Sequence, residues 1–186
     1  MALSAAQHLE TQLRAAGLEV LGSCEGIARE TDLLLCSALL QDFTAQEAEF
    51  LGGAMLRIRA KPGQLLIAEG ESSDWMMLLL KGTVDVGKRK VVKASGTGEQ
   101  GDITRLAVLK EGAVIGEMSM LDGEPRYASC WALSEVEAAV LSRPAVAGLI
   151  AKYPAVGAKL LVKLTQLLAQ RLRNTSSQLV KVLHKI

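Results

Sequence analysis

In the stretch GEMSMLDGEPRYAS, Gly116 to Ser129, a carboxylate and a guanidinium stand nine residues apart, Glu117 and Arg126, around a glycine-punctuated turn. Arg126 offers a planar, permanently charged donor fork that suits a phosphate. Glu117, when ionised, is an acceptor-only group that suits ribose hydroxyls. The chemistry in view is recognition of a sugar phosphate, and neither residue implies a reaction. The pair alone also fits a solvated salt bridge beside a strand turn, because most charged side chains lie at the surface. Its neighbours favour a ligand. Gly116 can take backbone angles closed to other residues and admits close approach. Met118-Ser119-Met120-Leu121 can form one helical turn whose free amides suit an anion.

The elements that must position this pair are bounded by length and composition. The 186 residues suffice for one domain with a substantial core and an added helical segment. A net charge of +1 and a pI of about 7.7 give no strong field for nucleic acid or anionic lipid. The three cysteines, Cys24, Cys36 and Cys130, are odd in number and widely spaced, which suggests free thiols rather than a disulfide framework or a metal site. The two histidines, His8 and His184, fall in terminal helical segments, so neither a metal cluster nor a His-activated nucleophile is expected. Glu10 and Arg14 interrupt any secretory apolar region, and no run is long enough to span a bilayer. A cytoplasmic, non-enzymatic protein without a membrane segment is the expectation.

Along the chain, Ala5, Leu9, Leu13 and Ala16 predict a helix with Ser4 as cap and Gly17 as stop. A second covers Glu30 to Leu40, and Thr44-Ala45-Gln46-Glu47 opens a third, as a capping box, to about Leu56. The chain to that point reads as helical. Lys61-Pro62-Gly63 is turn chemistry, and strands are expected over Leu65 to Ala68, Trp75 to Leu80, Thr83 to Gly87, Lys90 to Lys93, Arg105 to Leu109, Ser129 to Ala132 and Glu135 to Leu141. Short strands divided by glycine turns suggest a barrel or sandwich. Ala94 to Asp102 reads as an exposed hairpin tip. Arg143-Pro144 opens a helix, and Tyr153-Pro154 breaks it before a long one running to Ile186. Within that helix Thr165, Leu168, Leu172, Thr175, Leu179, Val182 and Ile186 recur at alternating steps of three and four, a heptad seam. A helix lying on its own barrel would use such a seam, and so would a homodimer; its position near the end of the chain favours the homodimer.

This order of helices, β-roll and long helix resembles the cyclic nucleotide-binding domain of the catabolite activator protein, protein kinase A regulatory subunits and gated channels. The resemblance covers about Leu33 to Ile186 and leaves residues 1–32 as an N-terminal helical extension. KPGQLLIAEGESSDWMMLLLKGTVDV is similar to the family's opening strands, and GEMSMLDGEPRYAS to its phosphate-binding cassette. The implied fold is mainly β with flanking helices: a double-stranded β-helix, or jelly-roll-like β-roll, with N-terminal helices and a C-terminal dimerisation helix over about 155–186. Glu117 would then accept the ribose 2'-hydroxyl and Arg126 would pair with the cyclic phosphate. Gly116 and the amides of Met118, Ser119 and Ala128 would complete the cradle, and Val86, Leu106 and Leu109 would form the apolar wall for the purine. AQRLRNTSSQL, Ala169 to Leu179, is similar to the helix that caps the base across the dimer, which implies that role for Thr175 and Ser176.

Two departures shape the reading. Tyr127 follows Arg126 where the family has a small residue, so its hydroxyl either meets the ligand or its ring points outward and leaves its amide there. The expected ligand is cAMP, with cGMP possible. The chain ends at Ile186 without a helix-turn-helix, so DNA binding by this chain alone is not expected, and the module either serves an unidentified protein partner or is a piece of something longer. A cyclic nucleotide sensor that transmits binding through its last helix is the leading expectation. A ligand-free scaffold of the same fold is the alternative.

Overall fold

The computed structural model describes residues 4–89 and 103–184. Helix α1 (Ala5–Ala15) is followed by strand β1 (Glu19–Ser23), a 3-10 turn (Ile27–Arg29), α2 (Thr31–Cys36) and α3 (Ala45–Gly53). Strands β2 (Leu56–Ala60), β3 (Leu65–Ile67), β4 (Trp75–Lys81), β5 (Val84–Arg89), β6 (Ile103–Leu109) and β7 (Val114–Ile115) lead to the short helix α4 (Glu117–Asp122). Then come β8 (Ser129–Ala132), β9 (Val136–Ser142), α5 (Arg143–Lys152) and α6 (Pro154–Leu183). One antiparallel sheet runs β1-β2-β9-β4-β7 and the other β3-β8-β5-β6, the two halves of a β-roll.

The inner strand β4 shows how the sequence makes two cores. Its run Trp75 to Leu80 is apolar at every position and buried throughout, the signature of a strand covered on both faces. Side chains alternate across a strand. Trp75, Met77 and Leu79 therefore join Ile58, Val84, Val136 and Val140 inside the roll. Met76, Leu78 and Leu80 join Leu39, Leu40, Leu51, Leu141, Leu160 and Leu164 under the helices. Strand β9 divides in the same way, Val140 to the roll and Leu141 to the helices.

The capping box of α3 forms as its sequence predicts. Glu47 N donates to Thr44 Oγ1 at 3.2 Å, and Thr44 N donates to Glu47 Oε2 at 2.8 Å. Ser142 caps α5, and Pro154 opens α6 after the break at Tyr153, whose ring stacks on Phe50 with centroids 4.0 Å apart. Lys159 to Glu47, at 2.6 Å, and Lys163 to Asp42 tie the first half of α6 to the α3 region.

The stretch before Leu56 is not wholly helical. Strand β1 pairs antiparallel with β2 through a bulge between Val20 and Gly22, and Arg57 on β2 bridges Glu30 at 2.7 Å and Glu137 at 3.0 Å. Residues 1–32, expected as a helical extension, thus supply an edge strand of the roll's own sheet. Five residues around a glycine carry too little alternation to announce a strand, and only pairing with β2 makes one. The second helix is shorter than Glu30 to Leu40, and α3 stops before Leu56. The expected strand Lys90 to Lys93 and the hairpin tip Ala94 to Asp102 lie outside the described residues.

Candidate nucleotide-binding site

Strand β7 delivers the chain to Gly116, which takes the left-handed conformation at φ 78° as the residue before α4. A Cβ at this position would collide with Arg126 Nη1, so both the backbone angle and the space demand glycine. Helix α4 ends at Gly123, also left-handed, whose amide donates to Ser119 O at 3.0 Å. The chain then returns to Arg126 and enters β8. Arg126 N donates to Glu71 O and Gly70 N to Arg126 O, both at 2.9 Å, which straps its backbone to the loop before β4.

Arg126 is buried, 3% exposed. Its Nε donates to Ser73 Oγ at 2.7 Å, Nη1 to Gly116 O at 2.7 Å and Nη2 to Trp75 O at 2.5 Å. The guanidinium lies 4.4 Å from the Trp75 ring centroid. Burial pulls its pKa below the ordinary arginine range, opposed by the nearby carboxylates Glu71, Glu117 and Asp74, and a guanidinium remains charged under such a shift. Among the described residues no carboxylate lies within salt-bridge reach of it. Of its five N–H groups, three donate to these neutral oxygens, which leaves two for an anion.

Glu117 is 1% exposed and is ion-paired through Oε1 to Arg171 Nη1 on α6. Arg171 Nη2 also donates to Val114 O at 2.6 Å. The long helix thereby touches both the strand that leads into the cassette and the carboxylate that begins it.

Gly116, Glu117, Met118, Ser119, Arg126, Tyr127, Ala128, Val86, Leu106 and Leu109, all singled out from the sequence, line one cavity of about 140 Å³. It opens to solvent where Leu106, Met118 and Tyr127 are exposed. Ile67, Val114, Ile115, Cys130 and Arg171 complete the wall and were not anticipated. Desolvation pushes the Cys130 thiol up to about 12, so it is a neutral, apolar part of that wall. Tyr127 is 61% exposed, with Lys88 Nζ 3.5 Å from its ring centroid, so its ring sits at the cavity rim.

Thr175 and Ser176 are not part of the cavity wall. Both are exposed on the half of α6 beyond Arg171, where the helix has left the roll. The helix meets its own roll through Leu160, Leu164, Leu167 and Arg171. The heptad seam Thr165, Leu168, Leu172, Thr175, Leu179 and Val182 lies one residue on, about 100° around the helix. Leu172, Leu179 and Val182 on that seam are exposed. Ile186, the last seam position, lies outside the described residues.

A β-roll that brings a buried glutamate at the start of α4 and a buried arginine just before β8 to one cavity has the architecture of a nucleotide-binding module. Residues 57–153 match the cyclic nucleotide-binding domain, and the chain belongs to that family. A solved cyclic nucleotide-binding domain from Methylobacillus flagellatus is 35% identical, covers 88% of each chain and superposes with a TM-score of 0.74. The CRP-like cAMP-activated global transcriptional regulator of Mycobacterium tuberculosis is 30% identical over 121 residues, 65% of this chain and 49% of the relative. The cAMP-dependent protein kinase regulatory subunit of Yarrowia lipolytica is 30% identical over 105 residues, 56% of this chain and 25% of the relative. The chain spans about half the length of the first of these curated relatives. Among the described residues no helix is long and apolar enough to cross a membrane, and no group of three His, Cys, Asp or Glu is placed to hold a metal.

Proposed function

We propose that this chain is a non-enzymatic cytoplasmic sensor of a cyclic nucleotide, cAMP in the first place, carried by residues 33–186 and signalling through α6. One observation supports this above the others: Arg126 is buried without a carboxylate partner among the described residues. A buried charge is normally paired, and a cyclic phosphate supplies the missing anion with two acceptor oxygens for the two remaining N–H groups. Glu117 keeps its second oxygen, Oε2, for a ribose hydroxyl while Oε1 faces Arg171. The apolar wall of Val86, Leu106 and Leu109 suits a purine. The two curated relatives named above carry cAMP in their names, which favours adenine.

A homodimer through α6 belongs to the same reading. It would cover the exposed Leu172, Leu179 and Val182 and bring Thr175 and Ser176 of a second copy toward the base. An unidentified protein partner would receive the resulting change of surface.

Calorimetric titration with cAMP and with cGMP tests the reading, on the wild type and on Arg126→Lys. The lysine keeps a charge in the buried position but loses the planar fork. The wild type is expected to bind, cAMP more tightly, and the variant to lose about 30-fold or more, the usual cost of disrupting a buried, hydrogen-bonded charge pair. Tighter binding of cGMP would reverse the base assignment. Flat titrations with both nucleotides would leave the ligand-free scaffold.

A further inference from the structure

We propose that Arg143, the first residue of α5, is the positioning residue that couples the nucleotide cassette to the C-terminal helices. The role rests on the sensor reading above and adds to it the contact through which occupancy reaches α5. Arg143 Nε donates to Met120 O at 2.6 Å and Nη2 to Ser119 O at 3.0 Å. These are carbonyls of the last turn of α4, where Ser119 O also accepts from Gly123 N, and a cation there meets the negative end of the helix dipole. Helix α4 therefore presents Glu117 to the cavity at one end and is held by Arg143 at the other.

The backbone of Arg143 is tied to the other anchor. Its amide donates to Asp74 O at 2.8 Å, next to Ser73, whose hydroxyl accepts from Arg126 Nε. Ser142, the preceding residue, pairs across the sheet with Trp75, whose carbonyl accepts from Arg126 and whose ring underlies it. The supports of Glu117 and of Arg126 thus converge on the first turn of α5. A ligand that moves either anchor displaces one of these supports, and α5 must follow or lose hydrogen bonds. Gly123 belongs to the same arrangement, since a Cβ there would come within 3.3 Å of Arg143 Nη2.

Nucleotide binding and amide hydrogen exchange, measured together on the wild type, Arg143→Met and Arg143→Lys, test the role. In the wild type, cAMP is expected to change exchange in α4, α5 and the first half of α6. Arg143→Met should bind cAMP within about 5-fold of the wild type, below the coupling typical of linked sites, and keep the change in α4. Its change in α5 and α6 should fall to less than half. Arg143→Lys holds one carbonyl but cannot fork to two, so it should recover part of the response. A merely structural arginine would lower stability in all segments and leave the nucleotide-dependent difference in place. Full transmission in both variants overturns the role. If Arg143→Met does not fold, the lysine variant decides, and full transmission there overturns it equally. A wild type that binds neither nucleotide removes the sensor reading itself, a result separate from binding with intact transmission.

Discussion

Arg171 on α6 reaches across the cavity wall to the carboxylate of Glu117, so the residue expected to hold a ribose is in contact with the helix expected to report it. The pair is asymmetric. Glu117 is buried, whereas the Arg171 side chain is 42% exposed. Removing the arginine leaves a buried carboxylate without its cation, and the exposed guanidinium, screened by solvent, limits what is lost. Urea denaturation of Arg171→Met, Glu117→Gln and the double variant should give a coupling energy of about 1–3 kcal/mol. The Arg171→Met chain is expected to be less stable than the double variant. Additive effects would mean that the two residues do not sense each other.

Gly116 and Gly148 make a matched pair. Gly116→Ala places a Cβ at φ 78° and against Arg126, and should lower stability by about 1–3 kcal/mol and weaken nucleotide binding. Gly148 lies inside α5 with no atom near its would-be Cβ, so Gly148→Ala should be neutral or stabilising by up to about 1 kcal/mol. Equal thermal shifts in the two variants would contradict the geometry.

The three thiols should behave differently. Burial pushes Cys24 up to about 11 and Cys130 up to about 12 from 9.0, and Cys36 is exposed. A disulfide reagent near pH 8 should therefore titrate one thiol quickly in the native chain and all three after unfolding. In both buried cysteines the folded state holds the proton more tightly than the unfolded one. Their contribution to stability is complete below about pH 9 and is lost as pH rises through 11 to 12. Denaturation midpoints should decline over that alkaline window in the wild type, and less in Cys130→Ala if the substitution is otherwise tolerated.

Thr175→Ala and Ser176→Ala should each leave the unfolding free energy of the monomer within about 0.5 kcal/mol of wild type, since both residues are exposed. If a second copy presents them to the base, their loss weakens cAMP binding at protein concentrations where sedimentation shows dimers, and not below. Identical losses at all concentrations would place their action within one chain.

The sequence was most legible where local chemistry decides the outcome. Thr44 and Glu47 form their capping box unaided, β8 occupies Ser129–Ala132 as expected, and the ten roll residues proposed for the site meet in one cavity. Strands whose existence depends on partners were hidden. Strand β1 needs β2, and the two-residue β7 needs β4. Arg171 was hidden for another reason: sorting the last helix by its apolar repeat passes over a charged residue one position before the seam residue Leu172. Its partner Glu117 is 54 residues away. Thr175 and Ser176 were legible as types and spacing, but what they touch depends on where α6 leaves the roll, which no local pattern encodes.

Helix α6 divides its surface into three arcs. Leu160, Leu164, Leu167 and Arg171 face its own roll, the seam residues face outward a quarter turn away, and Gln166, Gln170, Arg173 and Ser177 fill an exposed and wholly polar third arc. Each arc answers to a different demand, so the helix has little freedom to vary over its middle turns. Substitutions that leave folding, ligand response and assembly all intact should be confined to the third arc, which is therefore the place for a dye or a cross-linker that reports on α6 without altering it.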